Sequence, residues 1–186
     1  MPRRDAVAIS MLYGLGLRPQ ELFGATFRQQ SRERFRVAQV LTQAAGPSGK
    51  PIGRVIAAAK TVEGVRTMAM GSWLYEELHD WRALLVEVGL PAGEDDFIVP
   101  GAAERNPELA FLLKATPYSL RRGHISLRVL AGEDIKRIAD DGGTSTAMIH
   151  RHYLHELDLR HEMPADFSFD GAVRVARRAV RGWAAA

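Results

Sequence analysis

Apolar residues recur at helical spacing near the start of the chain: Ala8, Met11, Leu12 and Leu15. This spacing places them on one face and predicts an amphipathic helix. Asp5 precedes them and can cap that helix, while Gly14 and Gly16 are expected to end it. Pro19 then suits the first turn of a short second helix over residues 20–24.

The middle of the chain changes to a pattern that predicts strands. Residues 35–40 alternate apolar and polar side chains, and residues 44–53 are rich in glycine and proline, which is typical of a loop. The stretches 55–60 and 65–70 flank residues 61–64, where a glycine suits a tight turn. We therefore expect a hairpin between these two stretches, within a small antiparallel sheet.

The rest of the chain has mainly helical periodicity. Helices are predicted at 73–88, 107–114, 118–131, 134–141, 145–156 and 170–183. A short extended stretch at 97–101 and a linker at 163–166 interrupt them. The predicted fold class is mainly α with a small antiparallel β-sheet, that is, α+β.

Composition narrows the classes of protein to consider. The chain has 186 residues, enough for one domain with a sizeable core, and it has no cysteine, which excludes disulfides and thiol catalysis. No apolar stretch is long enough to span a membrane. The net charge is only +3, but 21 of the 25 basic residues are arginines, which contact phosphate bidentately. A compositional bias of the source explains that excess equally well.

Several polar residues stand out as candidates for chemistry on a phosphodiester, which needs a nucleophile, cations and an acid. Arg18 lies in GLRPQEL and Arg121 in YSLRR. Thr144 follows Arg121 by 23 positions, and Tyr153 follows Thr144 by nine. Each has an ordinary structural explanation as well. Arg18 can pair with Glu21 on the surface, Thr144 can belong to a helix cap, and a tyrosine on a helix is usually a core residue.

These motifs, in this order and spacing, resemble the catalytic domain of the tyrosine recombinases, the phage-integrase family. The resemblance implies that Arg18 and Arg121 hold the scissile phosphate and that Tyr153 attacks it. It also implies that Lys60, on the predicted hairpin, protonates the leaving 5′ oxygen. Tyr118 stands where this family usually has histidine, and Thr144 stands where histidine or tryptophan is common. Lys60 and Tyr118 also have ordinary explanations, as a solvated strand lysine and a core tyrosine.

The resemblance further implies double-stranded DNA as partner, self-association into a tetramer on DNA, and no cofactor. We expect a catalytic domain at 1–162 and a linker with a basic amphipathic helix at 163–186. The separate N-terminal domain that completes the family's clamp around DNA is expected to be absent. Such a protein would work in the cytoplasm, on the nucleoid. A non-enzymatic DNA-binding module and, less favoured, a topoisomerase with related tyrosine chemistry are the alternatives.

Two further expectations concern the neighbours of Tyr153 and the tail. Three histidines surround the tyrosine at spacings that do not bring them together on a helix, so no zinc site is predicted: His150, His152 and His155. Arg18, Lys60, Arg121, Thr144 and Tyr153 should converge on one basic concave face. The last helix is expected to pack on a neighbouring subunit when DNA is bound, with packing on its own domain as the alternative.

Overall fold

Helices and short antiparallel ladders make up the part of the chain that this computed structural model describes, residues 3–45, 51–58, 64–99 and 117–175. The α+β fold class predicted from the sequence is confirmed. The chain divides into two compact units, residues 1–121 and 122–186, with the division inside one helix. The predicted domain organisation, 1–162 followed by a tail, stays a prediction. Among the described residues, no helix is long and apolar enough to cross a membrane.

The first unit holds the N-terminal helices and all of the described strands. Its elements are α1 (Arg3–Leu15), α2 (Pro19–Phe23), a 3-10 turn (Phe27–Gln29), β1 (Arg34–Val37), β2 (Gln39–Ala45), β3 (Pro51–Ala58), β4 (Arg66–Ala69), α3 (Ser72–Glu87) and the start of α4 (Pro117–Leu130). The predicted helix at 107–114 lies outside the described residues.

The first helix corrects two expectations about its ends. Asp5 does not cap α1, because it lies within the helix, is buried, and accepts hydrogen bonds at 3.2 Å from the Arg4 side chain. Gly14 does not end α1 either. A Cβ at position 14 would lie 2.7 Å from Cη2 of Trp73, so this glycine permits close packing. The chain leaves the helix at Gly16, where φ is 62°.

The strands pair differently from the predicted hairpin. β1 pairs antiparallel with β4, with Phe35 opposite Met68, and β2 pairs with β3, with Leu41 opposite Ile56. The stretches 55–60 and 65–70 therefore belong to different ladders in the described residues, and the predicted pairing between them is wrong. The expected loop at 44–53 is also too long, since β2 continues to Ala45 and β3 begins at Pro51. The predicted turn at 61–64 is described only at its last residue.

The core of the first unit is built from the inward faces of these elements. α3 buries four side chains at helical spacing, Leu74, Leu78, Trp81 and Leu85, and β1 and β4 alternate buried and exposed positions. The Trp81 indole N–H donates to the carbonyl of Ile98 at 2.7 Å, so its buried polar group is satisfied. Each such large apolar side chain contributes about 1.5–3 kcal/mol when fully buried. Nearly half of the described residues of this core are apolar positions that predicted the helices.

The second unit consists of helices. They are the rest of α4, α5 (Ile135–Gly142), α6 (Thr146–His152), α7 (Leu154–Leu159), a 3-10 turn (Arg160–Glu162) and α8, which is described over 169–175. The predicted single helix at 145–156 is wrong, because the chain leaves helical geometry at Tyr153 and resumes it at Leu154. The cluster at the centre of the unit comprises Ile125, Val129, Ile138, Ala139, Ile149 and Tyr153.

The last helix is described only in its first two turns. Within them Val173 is 2% exposed, and the ring of Phe169 packs edge-on against His124 with centroids 4.8 Å apart. This part of the tail thus packs within the single chain. The expectation that the last helix packs on a neighbouring subunit when DNA is bound stays a prediction.

Candidate active site

Arg18 occupies the turn between α1 and α2. It is the N-cap of α2, and its backbone N–H donates to Glu21 Oε2 at 2.8 Å. Its carbonyl accepts from the amides of Glu21 and Leu22, both at 3.0 Å. Pro19 at the first helical position fits because its missing N–H needs no partner there. The backbone N–H and carbonyl of Arg18 are therefore both hydrogen-bonded. These bonds fix the direction in which its side chain leaves the backbone.

Glu21 is the centre of a buried ion cluster. Its carboxylate accepts two parallel hydrogen bonds from Arg66, Nη1 to Oε1 and Nη2 to Oε2, both at 2.8 Å, and one from Arg18 Nη1 at 3.0 Å. The Glu21 and Arg66 side chains are 3% and 6% exposed, whereas that of Arg18 is 37% exposed. The expected surface pair between Arg18 and Glu21 is thus an ion pair on a buried carboxylate.

The electrostatics of Glu21 follow from this arrangement. Burial acts to raise the pKa of Glu21, but the hydrogen bonds and charge of Arg66, with those of Arg18, outweigh it, and the pKa is held below its ordinary value. The carboxylate stays ionised, so the cluster carries two cations and one anion.

Arg66 is a residue that our sequence analysis did not single out. It begins β4, whose inward positions are Arg66 and Met68 and whose outward positions are Thr67 and Ala69. A charged residue at an inward position of a strand points into the core. It requires a buried partner there, because an unpaired buried charge is costly. The inward position of Arg66 in the alternating pattern of β4 was the signal in the sequence that could have identified this residue.

Arg121 contacts the turn that carries Arg18. Its side chain is buried, and Nη1 donates to the carbonyl oxygen of Gly16, two residues before Arg18. The positive φ of Gly16 belongs to the same turn. The second candidate arginine therefore packs directly against the loop of the first one, within the same unit.

Two other candidate site residues, Tyr118 and Lys60, belong to the first unit. Tyr118, on the first turn of α4, is 59% exposed, so the explanation that it packs in the core is wrong. Lys60 lies outside the described residues, and its role stays a prediction.

Tyr153 lies at the junction of α6 and α7 in the second unit. It is 7% exposed and belongs to the apolar cluster of that unit, with φ −127° and ψ 27°. Its N–H donates to Ile149 at 2.9 Å, and its carbonyl accepts from Leu157 at 3.0 Å. A hydrogen bond of 2.6 Å from the Ser126 hydroxyl to the Glu156 carboxylate connects α4 to α7, the helix that follows Tyr153. The core explanation for this tyrosine therefore holds in the DNA-free chain, beside any role as nucleophile.

Thr144 lies at the corner between α5 and α6. Gly143 before it adopts the left-handed conformation with φ 57°, and the Thr144 amide donates to Ala139 at 2.9 Å, which closes the end of α5. Ser145 is the N-cap of α6 and accepts from the Met148 amide at 3.2 Å. The predicted cap is thus present, with Ser145 as its side-chain acceptor.

A buried arginine supports the two ends of α5. Arg128 on α4 donates from Nε to Glu133 Oε2 at 2.9 Å and from Nη2 to Asp141 Oδ2 at 2.7 Å. Burial acts to lower the pKa of Arg128, but the two carboxylates outweigh it and hold the pKa above its ordinary value. Asp141 comes three residues before Thr144, so this ion pair fixes the approach to that corner.

The histidines around Tyr153 form no metal centre. His150, His152 and His155 are all exposed, and no group of three possible metal ligands occurs among the described residues.

Comparisons with known proteins relate this architecture to solved structures. No family model matches the chain, and no curated protein matches its sequence. Among solved structures, the Tn1549 transposon integrase in complex with transposon right end DNA is similar over 96% of this chain, with a TM-score of 0.61 and 21% identity. XerA recombinase is similar over 88% of it, with a TM-score of 0.58 and 17% identity. The fold is that of a tyrosine recombinase catalytic domain.

The chain spans 59% of the Tn1549 integrase chain and 60% of the XerA chain. A second structure of the Tn1549 integrase, in complex with circular intermediate DNA, is similar with a TM-score of 0.60 and 19% identity. At these identities the similarity shows the recombinase fold, and the chemistry has to be argued from the residues.

The site residues predicted from the recombinase resemblance fall in both units. Arg18, Tyr118 and Arg121 lie in residues 1–121, whereas Thr144 and Tyr153 lie in residues 122–186. Within the first unit, Arg121 and the turn of Arg18 are in contact. The convergence of all the candidates on one basic face stays a prediction.

Proposed function

We propose that this chain is the catalytic domain of a site-specific DNA recombinase or integrase that cuts and rejoins DNA strands through a 3′-phosphotyrosyl intermediate. The observation that supports this most is the packing of Arg121 against the carbonyl of Gly16, in the turn that carries Arg18. Arg18 on this turn and Arg121 packed against the turn from α4 suit a single phosphate, since guanidinium groups bind phosphate oxygens in bidentate geometry. The recombinase fold supports the same proposal.

In the proposed reaction, the Tyr153 oxygen attacks the scissile phosphorus and forms a new P–O bond. The bond from phosphorus to the 5′ oxygen breaks, Lys60 gives a proton to that oxygen, and the tyrosyl proton passes to water. Arg18 and Arg121 stabilise the charge that develops on the nonbridging oxygens. The phosphotyrosyl bond conserves the energy of the broken bond, so the 5′ hydroxyl of the same or another strand can reverse the step without ATP.

The proposal includes duplex DNA as partner, no cofactor, and tetrameric self-association on DNA in the cytoplasm. The Tn1549 integrase structures contain DNA, which supports the partner.

A catalytically weakened DNA-binding module of the same fold is the second candidate. Two observations favour it: Tyr118 and Thr144 replace the usual histidine positions, and Tyr153 is 7% exposed in the chain without DNA. A phenol can donate a hydrogen bond to phosphate, but Tyr118 lacks the basic ring nitrogen of the histidine that it replaces. A topoisomerase with related chemistry is the third and less favoured candidate.

The test is covalent capture on DNA. The full chain is incubated with nicked duplexes of randomised central sequence, and adducts that survive denaturation are isolated and sequenced. Wild type and Tyr75→Phe, a matched control on α3, should give adducts at 3′ phosphates, and Tyr153→Phe should give none while binding DNA equally well. An adduct that persists in Tyr153→Phe would assign the nucleophile elsewhere.

The remaining outcomes separate the alternatives. Salt-sensitive DNA binding by wild type without any adduct would favour the binding module. Adducts together with relaxation of supercoiled DNA, but without exchange between two captured sites, would favour the topoisomerase.

A further inference from the structure

Arg66 is a buried cation that forms an ion pair with the buried acid Glu21. Its two terminal nitrogens match the two oxygens of Glu21 at 2.8 Å each, the planar fork geometry that a lysine cannot reproduce. Arg66 Nη1 also lies 3.4 Å from the carbonyl oxygen of Gly64, two residues before β4 begins. Arg66 therefore ties the start of β4 to the Arg18 turn.

Glu21 in turn determines the position of Arg18. Oε2 accepts the Arg18 backbone N–H at 2.8 Å, and Oε1 accepts Arg18 Nη1 at 3.0 Å. One carboxylate thus holds both the backbone and the guanidinium of the residue. The rotation of that carboxylate is fixed by the two bonds from Arg66, so the three groups form one chain of contacts from β4 to Arg18.

The charges show what Arg66 adds. Without it, Glu21 would be a buried anion whose remaining cation is Arg18, and attraction would hold the Arg18 guanidinium against Glu21. With Arg66 present, the buried anion has a buried cation that also donates two hydrogen bonds to it. Arg18 has the most exposed side chain of the three.

We propose that Arg66 is a positioning residue for the phosphate site: it neutralises and orients Glu21, so that Glu21 holds the Arg18 guanidinium in place for a phosphate. This inference rests on the proposed function, because the phosphate held by Arg18 is the one cleaved there. Two other roles predict different results. Arg66 could stabilise the fold only, or it could contact the phosphate itself.

The experiment uses the full chain with four changes: Arg66→Lys, Arg66→Met, the double change Glu21→Leu with Arg66→Met, and the control Arg28→Met. Arg28 also makes a bidentate pair, with Asp95 at 2.7 and 2.9 Å, but that pair is exposed. The double change replaces a buried ion pair by apolar side chains, which is often neutral for stability, so it keeps the test open if Arg66→Met fails to fold.

Two kinds of measurement are made for each protein. The first is the single-turnover rate of adduct formation at saturating nicked DNA, together with the Kd for that DNA. The second is the side-chain Nε–Hε resonance of Arg18 in the free protein, assigned by its loss in Arg18→Lys. The resonance reports the order of Arg18 whether or not the protein cleaves DNA.

The expected results follow from the loss of positioning. The adduct rate should fall on the order of 100-fold in Arg66→Met and in the double variant, as for other misplacements of a reacting group by about 1 Å, with little change in Kd. Arg66→Lys should fall between these and wild type, and Arg28→Met should match wild type. The Arg18 resonance should move to the position of mobile arginines in the double variant.

Each contrary result has a distinct meaning. A folded double variant that cleaves at the wild-type rate would overturn the positioning role and leave the proposed function intact. An unchanged Arg18 resonance in Arg66→Met or the double variant would overturn it as well, even if the rate fell, since a direct phosphate contact predicts that combination. If wild type forms no adduct, the proposed function fails, and the resonance alone then decides whether Arg66 holds Arg18.

Discussion

Removing the Arg66 cation should destabilise the first unit strongly at neutral pH. In Arg66→Met, Glu21 remains 3% exposed but loses two hydrogen bonds of 2.8 Å and its buried counter-charge. Breaking a buried pair on one side costs roughly 3–5 kcal/mol, and the contacts that Arg18 keeps with Glu21 favour the lower end. With a urea dependence of about 2 kcal/mol per molar, a loss of about 3 kcal/mol moves the unfolding midpoint down by about 1.5 M.

The loss of stability caused by Arg66→Met should become smaller as the pH falls. The folded pKa of Glu21 in wild type lies below its ordinary value, so its contribution to stability is present above the ordinary value of about 4.3 and is lost as pH falls through the folded pKa. In Arg66→Met, burial is no longer opposed by Arg66 and raises the pKa of Glu21. Protonation then removes the buried charge, so the stability gap between the two proteins narrows from pH 7 to below pH 4.

Urea unfolding followed by tryptophan fluorescence measures this gap, because Trp81 is buried in the core of the first unit. Arg28→Met, which breaks an exposed bidentate pair, should show no measurable shift and serves as the control. The double variant Glu21→Leu with Arg66→Met should recover most of the loss, except for the Arg18 N–H that loses its acceptor. Equal midpoints for Arg66→Met and Arg28→Met at pH 7, or a gap that widens in acid, would show that Arg66 does not stabilise the Glu21 carboxylate.

Four further predictions test other parts of the molecule. DNA binding should weaken steeply with salt, with a log–log slope of about −0.9 per phosphate contact, and a flat titration would argue against phosphate contacts. Ser145→Ala should cost about 1 kcal/mol, since it removes the acceptor of the Met148 amide, and Ser145→Asp should retain stability. Gly14→Ala should destabilise by about 1–3 kcal/mol despite its better helix propensity, because its Cβ would meet Trp73 at 2.7 Å; a higher Tm would contradict this. Deleting residues 170–186 should lower the Tm, since Val173 is buried within the chain, whereas an unchanged Tm with lost assembly on DNA would favour packing on a neighbour.

The helices could be predicted because their signal is local. The apolar positions of α3 repeat every three or four residues, and Gly89, with φ 73°, follows the helix end. Strand pairing is not local, and the expected hairpin was wrong for that reason. A turn signal identifies two strand-like segments beside it, but the pairing depends on which other segments meet them, such as Phe35 opposite Met68.

Residues whose roles depend on distant partners were the hardest to predict. Asp5 and Gly14 both look like helix boundary residues, yet one is buried beside Arg4 and the other accommodates Trp73 from a different helix. Glu21 and Arg66 are 45 positions apart, and only the inward phase of Arg66 on its strand marks it as a residue in need of a buried partner.

Tyr153 shows why a correct spacing can give a wrong helix. Ile149, Tyr153 and Leu157 are spaced four apart and belong to one apolar cluster, and backbone hydrogen bonds connect 153 to 149 and 157 to 153 as in a continuous helix. Hydrophobic periodicity reports this spacing, and so it predicts one helix over 145–156. It does not report the dihedral angles of a single residue, and at Tyr153 φ and ψ are −127° and 27°. The break therefore falls on the residue that the proposed chemistry uses as nucleophile, a tyrosine that is 7% exposed in the chain without DNA.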